Sequence, residues 1–200
     1  MTKPIDFYFD FSSPYAYLMA RDLTHLAQRQ GRDLVWRPIL LGAIFKQTGR
    51  TPPIDGSARG AYLRHDIERT ARRKGLRLNW PAEFPFSSVT AARAFYWLNQ
   101  SSPKRAQHLA AALMDAIWIE GRALNDPEVL NEVARRLDVD VEAMNQAVQN
   151  PDIKALLKQE MDHAMSQQVF GSPWVVVDGE PFWGNDRLDD IQHWLQTGGF

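Results

Sequence analysis

The stretch DFYFDFSSPYAY, residues 6–17, decides how the chain begins. Ile5, Phe7, Phe9 and Phe11 alternate with Asp6, Tyr8 and Asp10, and a period of two predicts a β-strand. Ser12-Ser13-Pro14 interrupts the alternation. Beyond it Tyr15, Leu18, Met19, Leu23, Leu26 and Ala27 fall at helical spacing, and Gly31 is placed to end that helix. A serine before a proline reads as an N-cap, because the hydroxyl accepts a first-turn N–H while proline fills the first helical position. Ser12 or Ser13 therefore stands at the positive end of a helix dipole, where N–H groups hold anions. Such a place also holds a thiolate. The chain contains no cysteine, so a thiolate there has to arrive on another molecule, and a serine hydroxyl can donate one hydrogen bond to it. On pattern alone, a plain N-cap accounts for Ser13 equally well.

Working outward, Leu34-Val35-Trp36 reads as a second strand closed by Pro38, so the chain opens β-α-β with a right-handed crossover expected. From about Ser57 to Gln168 the pattern is helical. Ser102-Pro103, Asp126-Pro127 and Asn150-Pro151 each set a polar cap before a proline. Leu109, Leu113 and Ile117 line one helix face, and Leu130, Val133, Ala134 and Leu137 another. Pro173-Trp174-Val175-Val176-Val177 then begins a hairpin turning at Asp178-Gly179 and returning through Pro181-Phe182-Trp183, with Pro181 pointing to an edge strand. Asp186-Arg187-Leu188 opens a last helix, with Asp186 its candidate N-cap. This order predicts an α/β chain: a thioredoxin-like core, β-α-β then β-β-α, with an all-helical domain inserted. The boundaries expected are 1–56 and 169–200 for the core and 57–168 for the insertion.

Composition excludes several functions. The formal net charge is −1 over 200 residues, so no overall field favours nucleic acid or a membrane surface. The Arg69, Arg72, Arg73, Lys74 cluster reads as a solvated helix face. Without cysteine there is no disulfide or thiolate–metal site, and the five histidines lack the HExxH spacing, so no metal is expected. No apolar run reaches the roughly 20 residues that span a bilayer, and the first residues enter a strand without a signal-like segment, which points to the cytoplasm. GxSxG, GxGxxG and GxxxxGK[ST] are absent, which leaves serine hydrolases, dinucleotide binders and P-loops without their loops. Asp6 and Asp10 read as an outward polar face of the first strand.

A second signal lies at the other end, in VFGSPWVVVDGEPFWGNDRLDDI, residues 169–191. In thioredoxin-like folds the proline starting the third strand is commonly cis and lies beside the active-site turn. Pro173 fits that place, and an ordinary trans proline is the alternative. Taken together, DFYFDFSSPYAYL, WRPILLGAIFKQTG and FGSPW…GEPFWGNDRLD resemble the 2-hydroxychromene-2-carboxylate isomerases and their kappa-class glutathione transferase relatives, over nearly the whole chain.

The resemblance implies glutathione as cofactor or cosubstrate. Its thiol falls at Ser13, its cysteinyl backbone at Ser172 beside Pro173, and its γ-glutamyl end at Trp183-Gly184-Asn185-Asp186. A carboxylate suits the N–H groups opening the last helix, and Asp186 suits an ammonium. On the substrate side it implies Lys46, for a substrate carboxylate, then Arg50 in the 49–54 loop, and Phe84, which stands where relatives have a tyrosine. An asparagine expected near Arg50 is absent. Trp80, Phe84, Phe86, Trp118 and Trp183 are candidates to wall an aromatic pocket between the domains. The activity implied is isomerisation of a small aromatic substrate through reversible thiolate addition, with Ser13 stabilising the thiolate. A kappa-like transferase or peroxidase, and a non-enzymatic thioredoxin-like binding module, are the alternatives. The resemblance further implies a homodimer.

Overall fold

A computed structural model describes residues 3–49, 51, 52, 54 and 56–200. Strand β1 (Ile5–Phe9) leads into helix α1 (Pro14–Arg29), strand β2 (Leu34–Pro38) and helix α2 (Leu41–Thr48). Six helices follow: α3 (Ala58–Arg73), α4 (Val89–Ser101), α5 (Pro103–Trp118), α6 (Pro127–Arg136), α7 (Val141–Ala147) and α8 (Pro151–Ser166). Strands β3 (Trp174–Val177) and β4 (Glu180–Trp183) and helix α9 (Leu188–Thr197) complete the chain. The thioredoxin-like order expected from the sequence is the order observed. Among the described residues no helix is long and apolar enough to cross a membrane.

The strands form one sheet in the order β2-β1-β3-β4. β1 runs antiparallel to β3, with Phe7 opposite Val175 and Tyr8 opposite Trp174, and β3 runs antiparallel to β4. The hairpin between them turns on Asp178 and Gly179, both at positive φ (55° and 98°), the geometry that asparagine, aspartate and glycine supply for two-residue turns. Pro181 lies on β4, an edge strand, where its missing N–H leaves no ladder bond unmade.

β1 is an interior strand of the sheet, and side chains on both of its faces are buried. Phe7, Phe9 and Trp36 pack ring against ring at 5.3 Å, but Tyr8 on the opposite face is also buried. Asp10, expected to face outward, is 2 % exposed. Which faces of a strand stay wet is decided by what packs over them, so alternation in sequence does not fix alternation in exposure.

The chain divides into two units. One contains Met1–Arg37, Leu41–Leu76 and Val169–Phe200; the other contains Pro38–Leu40 and Arg77–Gln168. In the sheet unit, α1 packs against α3 and α9. α3, expected within the helical segment, groups with the sheet unit, and Tyr15 of α1 donates its hydroxyl to Asp66 of α3 at 2.8 Å. In the helical unit, α4 packs on α5, α7 and α8, and α5 on α6. The proline-led helices start where their caps predict. Asp126 accepts from Glu128 N–H at 2.9 Å and Asn150 from Asp152 N–H at 2.7 Å. Ser102 precedes Pro103 without a side-chain cap bond.

Candidate functional site

The turn between β1 and α1 meets the loop before β3. Ser13 is the N-cap of α1, in extended conformation, and its hydroxyl oxygen accepts from Ala16 N–H at 3.2 Å. The same hydroxyl donates to the Ser172 carbonyl at 2.9 Å, across 159 residues of sequence. Ser13 is 4 % exposed, so its single proton is held by a defined partner. The Ser172–Pro173 peptide bond is cis. A second cis bond, Phe84–Pro85, lies in the helical unit and had no counterpart in the sequence reading.

The 183–186 turn joins the same neighbourhood. Gly184 N–H donates to the Pro173 carbonyl at 3.1 Å. Ser13, Ser172, Pro173 and the 183–186 turn, separated by up to 173 positions in the chain, are thus linked through backbone and hydroxyl bonds of one unit. Asp186 is exposed and pairs with Arg187 at 2.6 Å. That hydrogen bond, the strongest influence on it, holds its carboxyl below the usual carboxylate range. The expected N-cap role of Asp186 is corrected: Arg187 occupies the cap of α9 and no side chain closes it. The N–H groups at that helix start are therefore not taken by the Asp186 carboxylate.

Trp183 lies 55 % exposed, an unusual state for an indole. It stands edge-on to Phe170 at 4.7 Å, and Phe170 in turn to Trp174 at 4.9 Å. Gly171 makes room for it. A Cβ at that residue would meet Trp183 Nε1 and lie 3.1 Å and 3.2 Å from Cε2 and Cδ1. Gly171→Ala is accordingly expected to turn the indole off Phe170 and to cost about 1–3 kcal/mol, as overpacking does. Urea unfolding together with near-ultraviolet circular dichroism checks it; an unchanged aromatic signature would mean that the backbone yields instead.

The remaining candidates separate by unit. Lys46 is exposed on α2, in the sheet unit, and makes no ion pair among the described residues. Arg50 lies outside the described residues. Phe84 is half-buried in the helical unit, edge-on to Trp80 at 5.5 Å, Trp118 at 5.9 Å and Phe86 at 6.1 Å. Four of the five expected pocket aromatics therefore share one cluster, while Trp183 belongs to the sheet unit with Phe170 and Trp174.

Two polar features escaped the sequence reading. Asp10 binds Ser12, and an Asp followed two residues later by Ser is an Asx-turn signal that was available. Tyr15 pairs with Asp66, for which no local signal exists. Burial, then the Asp66 bond and its charge, push the Tyr15 phenol well above its ordinary value. Burial also pushes Asp66 up, but hydrogen bonds from Tyr15 and Arg69 outweigh it, and its carboxyl lies below the usual range. Among the described residues no group of His, Asp and Glu has the arrangement to hold a metal ion.

A family model for the DSBA-like thioredoxin domain matches residues 4–196. A 2-hydroxychromene-2-carboxylate isomerase of Sphingobium xenophagum is 33 % identical over 197 residues, covering 98 % of this chain and 99 % of that protein. Glutathione S-transferase kappa 1 of Homo sapiens is 23 % identical, covering 98 % and 92 % respectively. A solved structure of a selenomethionine 2-hydroxychromene-2-carboxylate isomerase matches with a TM-score of 0.87 at 28 % identity, over 96 % of this chain and 94 % of that one. Across nearly its whole length, then, the chain belongs to the DSBA-like thioredoxin domain family, with 2-hydroxychromene-2-carboxylate isomerases and kappa-class glutathione transferases among its relatives.

Proposed function

We propose that this protein is a glutathione-dependent isomerase of 2-hydroxychromene-2-carboxylate or a related aromatic pyruvate. The observation that carries the reading is the hydroxyl of Ser13, fixed at the N-terminus of α1 and bonded to the Ser172 carbonyl in a chain without cysteine. These residues fit a peptide thiol. A helix start and a hydroxyl proton favour a thiolate, and the Ser172 backbone is placed to pair with a peptide. The exposed Asp186 suits an ammonium, and the uncapped start of α9 suits a carboxylate. Bound glutathione supplies a thiolate that adds to an unsaturated carbon and leaves after rotation about the former double bond, so that it is returned unchanged.

The chain's own tasks follow from that chemistry. Ser13 turns its proton toward the sulfur. Ser172 then has a carbonyl lone pair free for the ligand's N–H. Lys46 receives the substrate carboxylate, Arg50 contributes a second positive charge, and Phe84 offers a ring edge to the aromatic part. The identity to the Sphingobium isomerase, 33 % against 23 % for the human transferase, favours isomerisation over transfer. The reading further places the protein in the cytoplasm, as a homodimer acting on a small aromatic acid.

The test follows glutathione itself. Calorimetry is expected to detect its binding, and turnover of a chromene carboxylate is expected to yield isomerised product with no net loss of thiol. Consumption of glutathione without isomerised product rejects the isomerase in favour of a transferase. Absence of any affinity removes both enzymes and leaves a binding module.

A further inference from the structure

One buried charge stands among these elements without a part in the proposed chemistry. Asp10 follows β1 directly and is 2 % exposed. Its Oδ1 accepts from the Ser12 N–H at 2.8 Å and from the Ser12 hydroxyl at 2.9 Å. Its Oδ2 accepts from the Leu41 N–H at 2.6 Å. The backbone of Asp10 is engaged as well: its N–H donates to Ser172 Oγ at 2.9 Å and its carbonyl accepts from Ser13 N–H at 2.9 Å. One residue therefore meets the turn before α1, the loop before β3 and the start of α2.

Leu41 is the first residue of α2. Its N–H is one of the four that a helix leaves without an internal acceptor. A carboxylate at that point satisfies the donor and complements the helix dipole. α2 has eight residues and only Ile44 among them is buried, so apolar packing anchors it weakly. The bond to Asp10 ties its leading end to the Ser13 turn.

We propose that Asp10 is a positioning residue that couples the Ser13 turn to α2 and thereby sets where Lys46 stands relative to the sulfur site; the inference rests on the roles proposed above for Ser13 and Lys46. Asp10 acts through α2, not on the reactants. An amide cannot replace it. Asp10→Asn has one acceptor oxygen for donors on two sides. Ser12 offers an N–H and a hydroxyl, so the amide oxygen turns there, and the new NH2 faces the Leu41 N–H, donor against donor.

Three measurements on the full chain carrying Asp10→Asn test this. Hydrogen–deuterium exchange at the start of α2 is expected to quicken about tenfold, while α1 keeps its protection. Glutathione affinity is expected to change by less than about threefold, and KM for a chromene carboxylate to rise about tenfold with a smaller fall in kcat. Leu41→Pro removes the same bond from the other side, since proline suits the first helical position and carries no N–H. It is expected to raise KM similarly, and adding Asp10→Asn to it is expected to raise KM little further. It also keeps the test open if Asp10→Asn does not fold. Unchanged exchange in α2 overturns the proposal. So does a glutathione affinity that falls in step with the rise in KM, because Asp10 would then hold the Ser13 turn alone. If the unaltered chain fails to bind glutathione, the proposed function falls, and exchange at α2 still decides the coupling.

Discussion

Ser13→Ala is expected to lower turnover of a chromene carboxylate by about a hundredfold and to raise the pKa of the bound thiol toward the ordinary value of about 8.5. Two separate losses are involved, and their sizes differ. As N-cap, Ser13 holds the Ala16 N–H, and an alanine there costs about 1 kcal/mol of stability. A domain of ordinary stability, about 5–15 kcal/mol, remains folded after that. As donor in the proposed glutathione complex, the hydroxyl would face a thiolate in a buried place, where removal of one such donor costs roughly 10²–10³ in rate. The catalytic loss therefore exceeds the folding loss. Ser13→Asp separates them further. Aspartate caps a helix as well as serine does, so stability is expected to hold, but its charge beside the sulfur pushes the thiol pKa up. Thiolate absorbance titrated against pH, in parallel with urea unfolding, reads both. A loss of turnover under about threefold in Ser13→Ala would mean that the N-terminus of α1 alone holds the sulfur.

The Ser13–Ser172 bond also constrains how a ligand enters. The hydroxyl has one proton, and here it lies on the Ser172 carbonyl. A thiolate can take that proton only if the carbonyl gives it up. A peptide ligand compensates, because its own N–H can replace the hydroxyl at the same lone pair. Binding of the proposed peptide thiol would thus exchange one hydrogen bond for two and leave the Ser172 carbonyl paired.

How far the site was readable in sequence depends on how local its cause is. The hairpin was legible because Asp178-Gly179 carries its own backbone requirement. The helices beginning at Pro127 and Pro151 were legible because cap and proline are adjacent. The burial of Asp10 was not legible because it bonds Leu41 and Ser172, 31 and 162 residues away, and alternation along a strand carries no information about them. The neighbours of α3 were not legible for a similar reason: the amphipathic face of a helix does not name its partner, and the Tyr15–Asp66 bond spans 51 residues. The aromatic residues were legible as a kind but not as groups, since residue type says nothing about which rings meet.

Trp118→Ala carries the largest expected cost to folding, about 3–5 kcal/mol. The indole is fully buried, at 0 % exposure, at the end of α5. It stands edge-on to Trp80 at 5.7 Å and to Phe84 at 5.9 Å, pairs worth roughly 0.5–1.5 kcal/mol each beyond the area they bury. The cost depends on whether the surroundings can collapse into the space left. Here they are pinned by backbone: Asn79 N–H donates to the Trp118 carbonyl at 2.7 Å, and Asn79 Nδ2 to the Ile119 carbonyl at 2.6 Å. Neither bond uses the indole, so both survive the substitution and hold the segment before α4 away from the cavity. The upper part of the range is therefore expected, and Trp118→Phe, which keeps a ring, is expected to lose roughly 1–2 kcal/mol. Urea unfolding measures both, and a loss below about 1 kcal/mol for the alanine variant would show that the cluster closes over the gap. Because Phe84, proposed to meet the substrate, rests on this ring, the variant should also weaken binding of an aromatic acid.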